Sequence, residues 1–175
     1  MKRLGTGLVI FGLALVLGVA NYTIWQKEQI RTGGREVLLE LAPVDPRSLM
    51  QGDYMMLRYA PAVFPNREES GLDKGTLVLE LDADGVGRFA RIDDGTPLAP
   101  HEIRLKFRTV SQWGEYGIGA ESFFFQEGHA EHYADARYGV LRVAESGDSV
   151  LVGLADENRA LLEPPELPES SESPD

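Results

Sequence analysis

From Leu4 to Trp25 the chain carries no charged side chain, and apolar residues dominate the run. About 20 such residues in a helix, rising about 1.5 Å each, cross the roughly 30 Å hydrocarbon layer of a bilayer. The pattern predicts a transmembrane helix that anchors the chain by residues 4–25. Lys2 and Arg3 precede it, and Tyr22 and Trp25 stand at its far end, where aromatic rings favour the water–lipid boundary. The two leading bases orient the N-terminus toward the cytoplasm, against a weaker opposing signal from Lys27, Arg31 and Arg35. Gly18-Val19-Ala20 offers a signal peptidase the small residues it accepts, so cleavage after Ala20 is the alternative. Apolar character that continues through Ile24 to Trp25 favours a retained signal anchor.

Beyond Lys27 the period changes to that of strands. A polar stretch with Gly33-Gly34 reads as a short linker or the frayed helix end. Val37, Leu38, Leu39 and Leu41 form an apolar run stopped by Pro43 and Pro46. From Asp53 to Ala60 the side chains alternate, Met55, Leu57 and Tyr59 on one face and Tyr54, Met56 and Arg58 on the other. Pro61, Pro65 and the polar residues to Lys74 read as a loop. Leu77 to Leu81 and Val86 to Ile92, joined by Ala83-Asp84-Gly85, predict a hairpin.

Ile103, Leu105, Phe107 and Thr109 alternate with Arg104, Lys106 and Arg108, which predicts a strand with one core face and one basic face. Glu121 to Gln126, with three consecutive phenylalanines, reads as a strand near the centre of the core. Gly128 to Arg137 suits a short helix, and Tyr138–Val143 and Ser149–Leu154 are strands around the turn Glu145-Ser146-Gly147-Asp148.

The expected fold is mainly β: an N-terminal transmembrane helix, then a small antiparallel β-sandwich or partly open barrel with one short helix. The divisions are 1–26 for the cytoplasmic tip and anchor, 27–35 for the linker, 36–157 for the β-rich domain and 158–175 for an acidic Pro/Glu/Ser tail. Such a tail cannot bury enough apolar surface to offset its ordering entropy, and disorder is expected there.

Charge narrows the partners. The formal net charge is −11, and the stretch from Asp156 holds seven acids against the single base Arg159. An acidic chain is repelled by nucleic acid, so no nucleic-acid partner is expected. There is no cysteine, which excludes disulfides, a thiolate metal site and a cysteine nucleophile.

Three groups of residues remain as candidates for chemistry. His129 and His132 have the i, i+3 spacing that puts two imidazoles on one helix face beside Glu127, Glu131 and Asp135, where a divalent metal could bind. Arg104, Lys106 and Arg108 could gather an anionic ligand, or could pair across strands with Glu80 and Asp82. No serine sits in a nucleophile elbow, and Gly114 to Gly119 lacks the Lys and Ser/Thr of a phosphate loop. No cofactor is implied.

The third group is Gly52-Asp53-Tyr54-Met55-Met56-Leu57-Arg58-Tyr59, where the sequence resembles the bacterial GDYXXLXY family at every fixed position of its motif. The lead-in Pro43 to Leu49, the run Phe124 to Gly128 and the run Ala136 to Val143 also look like that family's pattern. The resemblance implies a membrane-anchored bacterial protein, often encoded beside polytopic membrane proteins, and brings no catalytic residue with it. A turn glycine, a turn aspartate and packed Tyr54, Leu57 and Tyr59 explain the motif structurally. Functionally, Asp53 and Tyr54 would edge a groove for a partner's strand, with Pro43, Asp45 and Arg47 on the same rim.

The expectation is a single-pass protein of the bacterial cytoplasmic membrane whose domain, outside the cytoplasm, binds a membrane-protein partner. The alternative is an envelope enzyme or metal-binding domain built on His129 and His132.

Overall fold

The computed structural model describes residues 2–42, 54–66, 70–110, 115–126 and 128–165, the side chains of 2–9 excepted. Helix α1 spans Lys2–Gly33. Ile10, Phe11, Leu13 and Val16, which point in different directions round its axis, are all exposed, so its apolar surface runs right round the helix. Among the described residues no helix is long and apolar enough to cross a membrane. The described side chains begin at Ile10, whereas the uncharged span of the sequence opens at Leu4.

The chain does not loosen after Lys27, as a linker over 27–35 would require. It stays helical to Gly33 and enters β1 (Arg35–Glu40) directly. The reason is packing: Ile30 is only 6% exposed, and the Gly34 N–H donates to the Ile30 carbonyl at 2.8 Å. A Cβ on Gly34 would stand 2.5 Å from that carbonyl oxygen and 2.9 Å from the Val143 amide nitrogen. Glycine is needed there for close approach.

The other strands are β2 (Tyr54–Met56), β3 (Lys74–Leu81), β4 (Gly87–Ile92), β5 (Glu102–Thr109), β6 (Tyr116–Gly117), β7 (Ser122–Phe124), β8 (Tyr138–Val143) and β9 (Ser149–Ala155). They form three antiparallel sheets in the orders β1-β8-β9, β2-β7 and β4-β3-β5-β6. The fold is mainly β with one helix, consistent with a sandwich. Leu39, Leu77, Leu79, Leu105, Leu141 and Leu154 are fully buried at its centre.

The alternation read in β5 holds, with Ile103, Leu105 and Phe107 buried. β1 instead buries both faces. Val37, Leu39 and Leu41 join the main core, while Leu38 packs with Val86, Val140 and Ala155 in a second cluster. An unbroken apolar run is what two-sided burial demands.

Three further expectations change. The phenylalanine-rich strand is not central: among the described residues β7 pairs only with the three-residue β2, and Phe124 is 73% exposed. The short helix at 128–137 is a single 3-10 turn, Ala130–Tyr133. Disorder is expected beyond Ala160, yet Leu161 bridges Ala155 and the Leu162 N–H donates to the Leu154 carbonyl at 2.8 Å. Residues 166–175 lie outside the described residues.

Candidate functional site

Of the motif positions, Gly52 and Asp53 lie outside the described residues, as do Pro43, Asp45 and Arg47. Tyr54 to Tyr59 are described, and the read alternation is present. Met55, Leu57 and Tyr59 are buried, Met56 and Arg58 are exposed, and Tyr54 is half-buried. Backbone bonds hold the segment on both sides. The Leu57 N–H donates to the Glu121 carbonyl at 2.8 Å, and the Ala42 N–H to the Arg58 carbonyl at 2.7 Å. The Ala60 N–H donates to the Glu40 carbonyl at 2.9 Å. The motif strand thus lies between β7 and the end of β1.

Tyr59 is a core residue with a polar end. Its hydroxyl donates to the Ala120 carbonyl at 2.7 Å, and burial, aided by the Glu121 charge, pushes its phenol far above the ordinary range. Its ring meets Phe64 edge-on, Phe64 touches Tyr116, and Tyr116 meets Phe107 edge-on, with centroids 5.0 Å apart in the last pair.

The Tyr59, Phe64 and Tyr116 rings line an open groove of about 730 Å³, together with Met56, Leu57, Arg58, Arg108, Val110 and Glu121 among others. Arg58 and Glu115 face each other across it at 4.0 Å. The Glu121 carboxylate accepts from the Gly119 N–H at 2.7 Å. It sits so close to β6 that a Cβ on Gly117 would collide with it and with Val110, which stands at 2.6 Å.

Beside the groove, and sharing Met56 with it, the motif strand presents a second feature. Tyr54 stands opposite Phe124 in the β2–β7 ribbon, with ring centroids 5.8 Å apart, and Met56 is 48% exposed on the same outward face. This aromatic and sulfur surface is open to solvent and runs into the groove at Leu57.

A family model described as GDYXXLXY protein matches residues 16–154, from within α1 into β9. The chain belongs to the GDYXXLXY protein family. No curated protein and no solved structure matches it. In this GDYXXLXY protein the named residues divide by role. Leu57 and Tyr59 are spent on the core, and Tyr54 is the one described motif side chain that faces outward.

The basic strand is largely neutralised, though not by the partners the sequence suggested. Arg104 Nε donates to Asp93 at 2.9 Å, and Lys106 Nζ to Asp148 at 2.7 Å. Glu80 stands opposite Arg88 and near His101, and the Asp82 carboxylate accepts the N–H groups of Asp84 and Val86 in its own turn. Arg108 has no acidic partner among the described residues and turns to the groove.

The two histidines do not share an α-helical face. His129 precedes the 3-10 turn and lines a small cavity with Phe123 and Tyr133, while His132 meets the Tyr133 ring edge-on at 4.9 Å. Among the described residues no group of three His, Asp or Glu could hold a metal, and Glu127 lies outside them. Reading the sequence missed Phe124, Arg108, Glu115, Tyr116 and Glu121 as one surface. Only the glycines at 117 and 119 hinted that a chain passes close there.

The ion pairs carry a pH prediction. The Arg104 guanidinium holds the Asp93 carboxyl below the usual carboxylate range, and the Lys106 ammonium does the same for Asp148, each outweighing the opposing effect of burial. A depressed folded value contributes stability that is present above the unfolded pKa and is lost as pH falls through the folded one. Melting temperature should therefore hold from neutral pH down to about 4 and fall below it. A D93N/D148N variant should melt lower at pH 7 and show a flatter acid limb.

Proposed function

We propose that this GDYXXLXY protein is a single-pass protein of the bacterial cytoplasmic membrane, held by α1, whose β domain lies outside the cytoplasm and docks a polytopic membrane protein. The observation that carries the docking reading is the outward face of the motif strand: Tyr54, Met56 and Phe124, with the groove beside them. A folded domain gains nothing by leaving such a face in water, and aromatic and methionine side chains are enriched where partners bind. The groove adds Arg58 and Arg108 as orienting charges at the rim of an apolar floor, an arrangement that suits an extended segment of another chain. Apolar side chains all round α1, continued in sequence back to Leu4, support the anchor.

The test is capture in mild detergent from cells expressing the full chain with a C-terminal tag, after protease protection has located that tag. Wild type should bring down a membrane protein in stoichiometric amount. A Tyr54→Ala/Phe124→Ala variant should lose it with little change in melting temperature, since neither side chain is in the main core. Equal capture by both proteins would move the interface elsewhere. Recovery of a bare monomer from wild type would remove the proposal.

A further inference from the structure

We infer that α1 and the β domain form one continuous post, so that the motif face stands clear of the bilayer and meets only a part of the partner that projects into the aqueous compartment. This rests on the anchor reading above and adds the partner's reach.

The junction has no slack. Ile30 is buried, and the Gly34 N–H closes back on its carbonyl. Arg142 Nη1 donates to the Gly34 carbonyl at 3.3 Å, Arg35 Nη1 to the Pro100 carbonyl at 3.1 Å, and Lys27 Nζ to the Ser149 carbonyl at 3.5 Å. Backbone on both sides leaves no room for a Cβ at Gly34. Three bonds, at Lys27, Gly34 and Arg35, join this junction to β9, β8 and the turn before β5, which a flexible linker would not do.

The direction follows from register. All of these α1 contacts fall at one end of the sheet, where Arg35 faces Val143 and Val143 faces Ser149. Tyr22, Ile24 and Trp25 are exposed, so the helix leaves the domain at that end. β1 runs away from it, through Glu40 opposite Tyr138, to the bridge between Leu41 and Tyr59. Six steps at about 3.3 Å put that bridge about 20 Å from the junction.

The motif strand is antiparallel to β1 there, because Ala60 bonds Glu40 while Arg58 bonds Ala42. Tyr54 therefore lies farther out still. β5 gives the same direction independently: the carbonyl of Glu102, at its start, accepts from Arg35 at 3.5 Å, and Thr109, at its end, lines the groove. From Trp25 to Gly33 the helix adds about 12 Å. The β8–β9 turn is the rim nearest the bilayer, and the Tyr54–Phe124 face is at the opposite end.

The chain contains no cysteine, so single thiols can be placed at will. Full-length Glu145→Cys, in the β8–β9 turn, and Phe124→Cys each carry one fluorescent label after reconstitution into phosphatidylcholine vesicles. Headgroup-nitroxide lipid should quench the label at 145 and leave the label at 124 bright. Inserting six Gly/Ser residues between Gly34 and Arg35 should erase the difference. Equal quenching at both positions without the insert, or stronger quenching at 124, overturns the inference while leaving the anchor intact. A chain that fails to float with the vesicles overturns the anchor and the inference together.

Discussion

Gly34→Ala is expected to destabilise the domain by about 3 kcal/mol, because overpacking costs most where the obstructing atoms are backbone and cannot rotate away. The added methyl meets the Ile30 carbonyl oxygen at 2.5 Å, the Val143 nitrogen at 2.9 Å and the Arg142 carbonyl carbon at 3.1 Å. Relief requires α1 to shift off β8, which withdraws Ile30 from its site and breaks the Gly34 to Ile30 bond. Gly33, one residue earlier, has open space where its Cβ would stand, so Gly33→Ala is the matched control and should be neutral or mildly stabilising. Thermal unfolding of the detergent-solubilised full chain, followed by β-sheet circular dichroism, separates the two. Equal melting temperatures would show that the junction yields more easily than its geometry implies.

The second large effect is at Tyr59. Removing the ring in Tyr59→Ala opens a cavity between Phe64, Gly139 and the groove floor and should cost about 3–5 kcal/mol, in the range of buried aromatic truncations. Tyr59→Phe keeps the ring and deletes only the bond to the Ala120 carbonyl. Its cost should be about 1–3 kcal/mol, that of a buried acceptor left without a donor. Denaturant unfolding with an unchanged m-value would give both numbers. The contrast with Tyr54, whose loss should reduce capture and spare stability, tests whether one motif serves two ends.

The strands were legible where one rule governs burial. Residues 103–109 alternate because β5 has core on one side and water on the other, and the apolar run from Val37 to Leu39 is continuous because both sides of β1 are covered. The errors have a common cause in contacts distant along the chain. Gly33-Gly34 reads locally as flexible, yet Gly34 is glycine because Val143 lies against it. Phe123 to Phe125 read as central, yet among the described residues β7 pairs with β2 alone, and Phe124 is left in water. Arg104 and Lys106 were rightly paired in kind but wrongly in partner, because Asp93 and Asp148 come from turns folded over the strand. The groove is assembled from four separate segments around Ala42, Arg58, Arg108 and Tyr116, and no local periodicity joins them.

The two-sided burial of β1 also sets an order of events. β1 is the first strand made, yet its neighbour β8 comes near the end of the domain: Arg142 reaches back to Gly34 across 108 positions. Neither the main core around Leu39 nor the second cluster around Leu38 can close until Val140 and Leu141 have been synthesised. Sheets closed by such distant pairs form slowly, because the loop must be ordered before the contacts repay it. A nascent chain ending before Tyr138 would hold β1 without its hydrogen-bonded neighbour and with both core clusters incomplete, so the domain reaches its folded form only after β8 has been made.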